Sequence, residues 1–360
     1  MRIYFTVTND LNFDQRMIRI CTSLAQNGFT VTLVGRRKKN SAVLYQQLFS
    51  QQRLNCFFEK GKLFYMEYNI RLFFFLLIRK MDAVCAIDLD SILPCYFISV
   101  LRNKKRVYDA HELFCEMKEI VARPAIYKTW KKVEKFAVPK FLKGYTVNQL
   151  LAEEFKKMYN VNYDVIRSIT LKQPLEIFEK KEKYILYQGA VNEGRGFEIL
   201  IPAMAYVDCK LIICGDGNFI GQAKQLAIDL NVANRVVFEG TLLPEDLRQY
   251  TLNAYIGITL FEKNGLSNYL SLANRFFDYM HAALPQVCMN FPLYKNINDD
   301  LEVAVLIDDL DVKTVQEAIN YLLSNAVVYH AIHENCIKAR EKYNWQNEEV
   351  KLLNFYKTIA

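Results

Sequence analysis

Residues 184–204, YILYQGAVNEGRGFEILIPAM, place a short apolar run, a loop with three glycines and one arginine, and an apolar-faced helical pattern in direct succession. Residues 184–187 read as a buried strand, 189–196 as a loop, and 197 onward as a helix. N–H groups at a helix N-terminus point outward unpaired, and glycines let a ligand come close to them. A phosphate therefore fits this turn, between Gly189 and Gly194, with Arg195 as its counter-charge. The alternative is a plain βα turn with an exposed arginine.

Strand and helix patterns alternate through both halves of the chain, which is the pattern of doubly wound α/β folding. In the first half, strand 2–8 leads to Asp14 as a helix cap. Met17, Cys21 and Leu24 share one face of the helix that follows, which ends at Gly28 before strand 29–34. Runs 83–87, 106–110 and 144–147 continue the series, with an irregular polar stretch at 38–52 and an apolar helix at 70–78. In the second half, runs 184–187, 210–214, 235–238 and 255–260 are the strands. The polar, lysine-rich stretch 173–183 reads as a hinge between a first domain, 1–172, and a second, 184–341.

Charge divides along the same line. Residues 1–180 hold 30 Lys and Arg against 17 Asp and Glu, a net +13, and the remaining 16 and 22 give −6. A basic half can meet nucleic acid, anionic lipid or a phosphorylated substrate. Its basic residues are dispersed, with no aromatic RNA-binding pattern or zinc knuckle, so an anionic membrane surface is favoured and nucleic acid is not expected. The apolar stretch 71–80, RLFFFLLIRK, is too short to cross a bilayer and suits a core or a bilayer surface. Nine scattered cysteines without metal-ligand spacing fit reduced thiols, and Met1 leads straight into a strand rather than a signal peptide. These features predict a cytoplasmic protein, peripheral at the inner face of the plasma membrane.

The carboxyl ends of strands in open α/β sheets are where ligands bind. In the first half this edge holds Asn9, with Asp14 and Arg16 at the mouth of the next helix, Arg16 being either a ligand contact or an ordinary surface residue. Asp88 and Asp90 form a D-x-D that reads as a helix cap rather than a metal site. His111 follows strand 106–110, where it serves chemistry or simply bonds at a strand end. In the second half, CKLIICGDGNFIG with Gly215 and Gly217, and Glu239 about twenty residues on, imitates a dinucleotide fingerprint, but Gly221 comes one place late. SLANRFFDYMHAALP, residues 271–285, reads as a helix with Asn274, Asp278 and His281 on one polar face toward water or a ligand. Ser271 and Arg275 stand at its anion-attracting start.

In their order, YQGAVNEGRGFEILIPAM, LIICGDGN, VVFEGTLLPEDL and SLANRFFDYMHAALP resemble the donor-binding half of family-4 retaining glycosyltransferases (glycosyl transferases group 1). YDAHELFCEM, TVNQLLAEEF and the N-terminal stretch TNDLNFDQRMIRICTSLAQNGFTVTLVGR look like the acceptor half of the bacterial members. The resemblance implies the GT-B fold: two Rossmann-like domains facing a central cleft and closing on a nucleotide-diphosphate sugar. It also implies no metal or cofactor, a UDP- or GDP-linked donor, a glycan or lipid-linked acceptor, and a C-terminal helix within 342–360 crossing back to the first domain. Arg195 takes the place of the residue that grips the diphosphate, Asn274 and Arg275 match an Asn-Lys pair, Asp278 matches the ribose-binding acid, and His111 matches the acceptor-domain histidine. Three positions depart from the family pattern. Leu270 stands where the first glutamate of a Glu-seven-residue-Glu pair falls, Ala190 replaces an arginine, and Ala283 replaces a glycine. An epimerase on the same fold or an inactive scaffold would share most of these features.

Overall fold

Ala83–Ile87 is buried at every residue, the pattern of a strand covered on both faces, and a sheet of such strands must be parallel with helices on either side. The computed structural model describes residues 1–175 and 182–360. They form two units, Met1–Ser168 with Asn347–Ala360, and Ile169–Gln346. Residues 176–181 of the expected hinge lie outside the described residues.

The first unit carries seven strands: β1 (Arg2–Thr6), β2 (Thr30–Arg37), β3 (Ser50–Asn55), β4 (Ala83–Ile87), β5 (Lys105–Ala110), β6 (Gly144–Thr146) and β7 (Asp164–Val165). Their order is β3-β2-β1-β4-β5-β6-β7, every pairing being parallel. The order reverses at β1, so the loops after β1 and β4, with Asn9 and Asp88, flank the point where such sheets open a crevice. Helix α1 (Gln15–Gln26) buries Met17, Cys21 and Leu24, and Asp14 caps it by accepting from Met17 N at 3.1 Å. Helix α2 (Gly61–Leu77) begins nine residues before the expected 70–78. Its residues are apolar on more than one side, so no periodicity announced its start. The polar stretch expected to be irregular ends in β3, an edge strand of mostly polar residues whose only signature is its pairing with β2. Within this unit Tyr356, from the C-terminal segment, packs on Phe5 with ring centroids 5.8 Å apart and sets its hydroxyl 3.3 Å from that of Tyr145.

The second unit repeats the plan with β8 (Tyr184–Gln188), β9 (Lys210–Cys214), β10 (Val236–Gly240), β11 (Ile256–Thr259), β12 (Gln286–Met289) and β13 (Ala304–Ile307). They are ordered β10-β9-β8-β11-β12-β13 and are again parallel. Here the order reverses at β8, which places Gly189 after β8 and Phe261 after β11 beside the switch point. Among the described residues no helix is long and apolar enough to cross a membrane.

Candidate functional site

The two glycine loops of the second unit are one structure. Val191 N donates to Asp216 O at 3.0 Å and Phe219 N to Val191 O at 2.9 Å, while Asn218 N donates to the Asn192 side chain at 3.0 Å. A side chain on Gly215 would stand 1.8 Å from Gly189 O, and one on Gly217 would stand 2.3 Å from Val191 O. Gly215 and Gly217 are thus required by backbone contact with the first loop, and Gly221 has open space around it. Glu239 is exposed on the edge strand β10, where it approaches Tyr250.

Phe261 joins the two arginines. The guanidinium carbon of Arg195 lies 4.6 Å from the ring centroid of Phe261, and that of Arg275 lies 4.7 Å from the same centroid. Glu262 N donates to Gly194 O at 3.0 Å, which fastens the arginine loop beside the ring. Arg275 opens the Asn274–His281 helix, whose N-cap, Ala273, offers no side-chain acceptor to the first N–H groups. Arg275 is only 8% exposed. Its Nη1 donates to Tyr187 Oη at 3.0 Å and to Gln188 O at 3.2 Å, whereas its buried Nε and Nη2 find no hydrogen-bond partner among the described residues. Gly189, at φ 116°, lies so close that a Cβ there would be 3.2 Å from Arg275 Nη1.

The expected polar face of this helix divides. Asn274 is exposed, and Asp278 is half-buried, accepting from Thr170 Oγ1 at 2.6 Å and Gln188 Nε2 at 2.9 Å. Gln188 is itself held by Thr251 Oγ1, which donates to its Oε1 at 2.7 Å. His281 does not face water or a ligand. It is buried with Nε2 2.7 Å from Tyr343 O, and burial lowers its pKa to about 4, so it is neutral. Ser271 precedes the helix and donates to Asn268 O at 2.8 Å. Leu270 is buried, so no acid occupies that position.

The first unit gathers a charged cluster at its sheet edge. Arg16 is not an ordinary surface residue: it is buried, with Nη2 2.9 Å from Asp109 Oδ1 and Nη1 donating to Ile166 O at 3.1 Å. His111 lies between two carboxylates, its Nε2 3.2 Å from Asp109 and its Nδ1 3.3 Å from Asp88. Burial alone would lower the His111 pKa, but Asp109 and Asp88 outweigh it and raise it to about 9, so the ring is an imidazolium at neutral pH. Asp88 stands at the N-cap position of the 3-10 turn Leu89–Ser91, but its side chain makes no cap bond there. At φ 54° it turns its carboxylate back to accept from His111 N at 2.8 Å. Asp90 accepts from Thr8 Oγ1 at 2.5 Å, and burial pushes it up to about 6. Asn9 Nδ2 donates to Asp14 at 3.4 Å, so Asn9 and Asp14 form a separate pair at the start of α1.

Sequence reasoning missed Phe261, Gln188 and the role of Asp109. Phe261 has no motif of its own, and only its place after a strand of the alternating series marks it. Among the described residues no group of three or more His, Cys, Asp or Glu side chains is placed to hold a metal ion.

Two parallel, doubly wound α/β units of this kind define the GT-B fold. A sucrose-phosphate synthase from Thermosynechococcus elongatus superposes with a TM-score of 0.79 at 15% identity, over 100% of this chain and 99% of that one. Anabaena HepE in complex with UDP and glucose superposes at 0.78 with 13% identity, over 99% of each chain. Residues 170–342 match the family described as glycosyl transferases group 1. A protein of Methanocaldococcus jannaschii described as an uncharacterized glycosyltransferase is 23% identical over 206 residues, 55% of this chain and 50% of that protein, so the match spans about half the length of that relative. The family match thus covers the second unit, and the solved structures share the fold.

Proposed function

We propose that the protein transfers a hexose from a nucleotide-diphosphate sugar, UDP- or GDP-linked, to a glycan or lipid-linked acceptor. The observation that carries this reading is Arg275, a buried cation at a helix start beside Gly189, whose Nε and Nη2 have no hydrogen-bond partner among the described residues. Among the described residues no carboxylate forms a salt bridge with it. A buried charge without a partner is costly, and the arrangement is explained if a diphosphate completes it: a guanidinium fork fits two phosphate oxygens, and the glycine leaves them room. Arg195, stacked on the other approach to Phe261, supplies a second positive charge. The UDP and glucose in the HepE complex are ligands of this chemistry.

As the sugar departs, negative charge grows on the nucleoside diphosphate, and preorganised arginines stabilise it directly. The reaction so read is metal-independent. Retention, the stereochemistry of the family-4 enzymes that the sequence resembles, has the acceptor oxygen bond to the anomeric carbon on the face from which the phosphate leaves. A phosphate oxygen takes the acceptor proton, so no dedicated carboxylate base is needed. Asp278, held by Thr170 and Gln188, is the ribose contact, and His111 supplies a fixed positive charge on the acceptor side.

A thermal-shift panel of UDP, GDP, ADP and their sugars, run with and without EDTA, tests this. A ligand at about 100 times its Kd should stabilise the fold by roughly 2.7 kcal/mol. No shift with any of them would contradict the proposal, and a shift abolished by EDTA would contradict metal independence.

A further inference from the structure

Gln188, the last residue of β8, supports two side chains of the proposed donor site at once. Its backbone O accepts from Arg275 Nη1 at 3.2 Å, and its side-chain Nε2 donates to Asp278 Oδ2 at 2.9 Å. Arg275 and Asp278 are neighbours on the Asn274–His281 helix, one turn apart. Gln188 is only 4% exposed, and a buried amide needs its hydrogen bonds. Its N donates to Tyr279 Oη at 3.2 Å, and that hydroxyl donates in turn to Leu186 O at 3.0 Å. Its Oε1 accepts from Thr251 Oγ1 at 2.7 Å, which leaves the NH2 side of the amide turned to the carboxylate.

The other oxygen of Asp278, Oδ1, accepts from Thr170 Oγ1 at 2.6 Å, a short bond of the kind a hydroxyl makes to a charged carboxylate. Thr170 stands next to Ile169, the first residue of the second unit, in neither a strand nor a helix. The far end of the same unit holds it instead. Thr170 O accepts from Trp345 N at 3.0 Å. Two residues on, Lys172 N donates to Gln346 Oε1 and Lys172 O accepts from Gln346 Nε2, each at 3.0 Å. The hydroxyl that meets Asp278 thus stands on a backbone already fastened on its other side.

We infer that Thr170 and Gln188 are positioning residues that set the preference of the donor site for ribonucleotides, by holding the Asp278 carboxylate in one orientation for the ribose hydroxyls. The inference rests on the ribose contact proposed for Asp278 above. The terminal torsion of an aspartate is broad, so an unsupported carboxylate turns. Here donors from two separate segments take one oxygen each. A carboxylate oxygen accepts more than one hydrogen bond, so each can meet a ribose hydroxyl and keep its protein donor. Ordering done before the ligand arrives is not subtracted from its affinity. Both residues act through Asp278 and require no contact with the nucleotide.

Titration of the full chain with UDP and with GDP, each beside its dideoxy form, which lacks both ribose hydroxyls, tests the inference. Wild type should bind the better ribonucleotide about tenfold or more tightly than its dideoxy form. Thr170→Val keeps the branched shape and removes the hydroxyl. It should weaken the ribonucleotide about fivefold and leave the dideoxy form nearly unchanged, so the preference narrows. Thr170→Ser keeps the hydroxyl and should restore most of that preference. Gln188→Met keeps the volume and the backbone carbonyl on Arg275, and should narrow the preference as Thr170→Val does. Thr170 is half-buried, so its two variants carry the test if the buried Gln188→Met lowers the folded fraction. Loss of both affinities by one factor would overturn the inference, because Thr170 would then only support the fold, and so would an undiminished preference in Thr170→Val. Equal binding of the two forms by wild type would overturn it differently, by removing Asp278 from the ribose while leaving the diphosphate site in place. Binding of none of these nucleotides would fail the donor site as a whole, and this inference with it.

Discussion

A Cβ on Gly189 would stand 3.2 Å from Nη1 of Arg275, closer than the guanidinium can accept without moving. The glycine and the arginine, one ending a strand and the other opening a helix, therefore shape one surface. Gly189→Ala should destabilise the fold by about 1–3 kcal/mol, because alanine is strained at φ 116°. It should also weaken nucleotide binding about tenfold by displacing Arg275. Urea unfolding and nucleotide titration of the folded variant measure the two effects, and unchanged affinity would separate Gly189 from the site.

Arg195 is half-buried and rests on Phe261 from a loop. Arg195→Ala should cost roughly 1.5–3 kcal/mol of donor binding, about 10- to 150-fold, with little change in melting temperature. Arg195→Lys should recover part of the loss, since it restores charge without the planar fork. Turnover at matched folded fraction is the measurement, and full activity in Arg195→Ala would remove this residue from the mechanism.

His111 should titrate near 9 rather than at its ordinary 6.5. Its folded pKa lies above the unfolded one, so its charge pairing contributes stability fully below about pH 6.5, and that contribution disappears as pH rises toward 9. Asp109→Asn should bring the His111 pKa down sharply. It should also destabilise the first unit by about 3–5 kcal/mol, because Arg16 is left buried without its carboxylate. NMR titration of the imidazole decides, and an ordinary value in the wild type would show that the two carboxylates do not hold the proton.

Most of the alternation was legible because buried parallel strands are short apolar runs, as at 184–188, where a glycine follows directly. The start of α2 and the strand β3 were not. The helix has apolar residues on both sides and the edge strand is polar, so neither presents a single period. In the candidate site, Gly189, Arg195 and Arg275 stood out by residue type and position. The links among them did not, because they join residues far apart in the chain: Gln188 to Asp278, Arg16 to Asp109, and both arginines to Phe261. An amphipathic pattern places Arg16 in the first turn of α1 but cannot say that the partner across the sheet is an aspartate.

The proposed donor site depends most directly on Arg275, which is buried with only Nη1 hydrogen-bonded and, among the described residues, no carboxylate in a salt bridge with it. Arg275→Met keeps the apolar stem and removes the charge. The measurement is the melting temperature of wild type and variant, each with and without the nucleotide that shifts the wild type most. Free Arg275→Met should melt at or above the wild-type temperature, since replacing a buried charge by an apolar side chain of similar volume is often neutral or stabilising, and its nucleotide-induced shift should vanish. A variant that melts well below wild type yet keeps the full nucleotide shift would contradict the account, because Arg275 would then be a structural residue and the diphosphate would bind elsewhere.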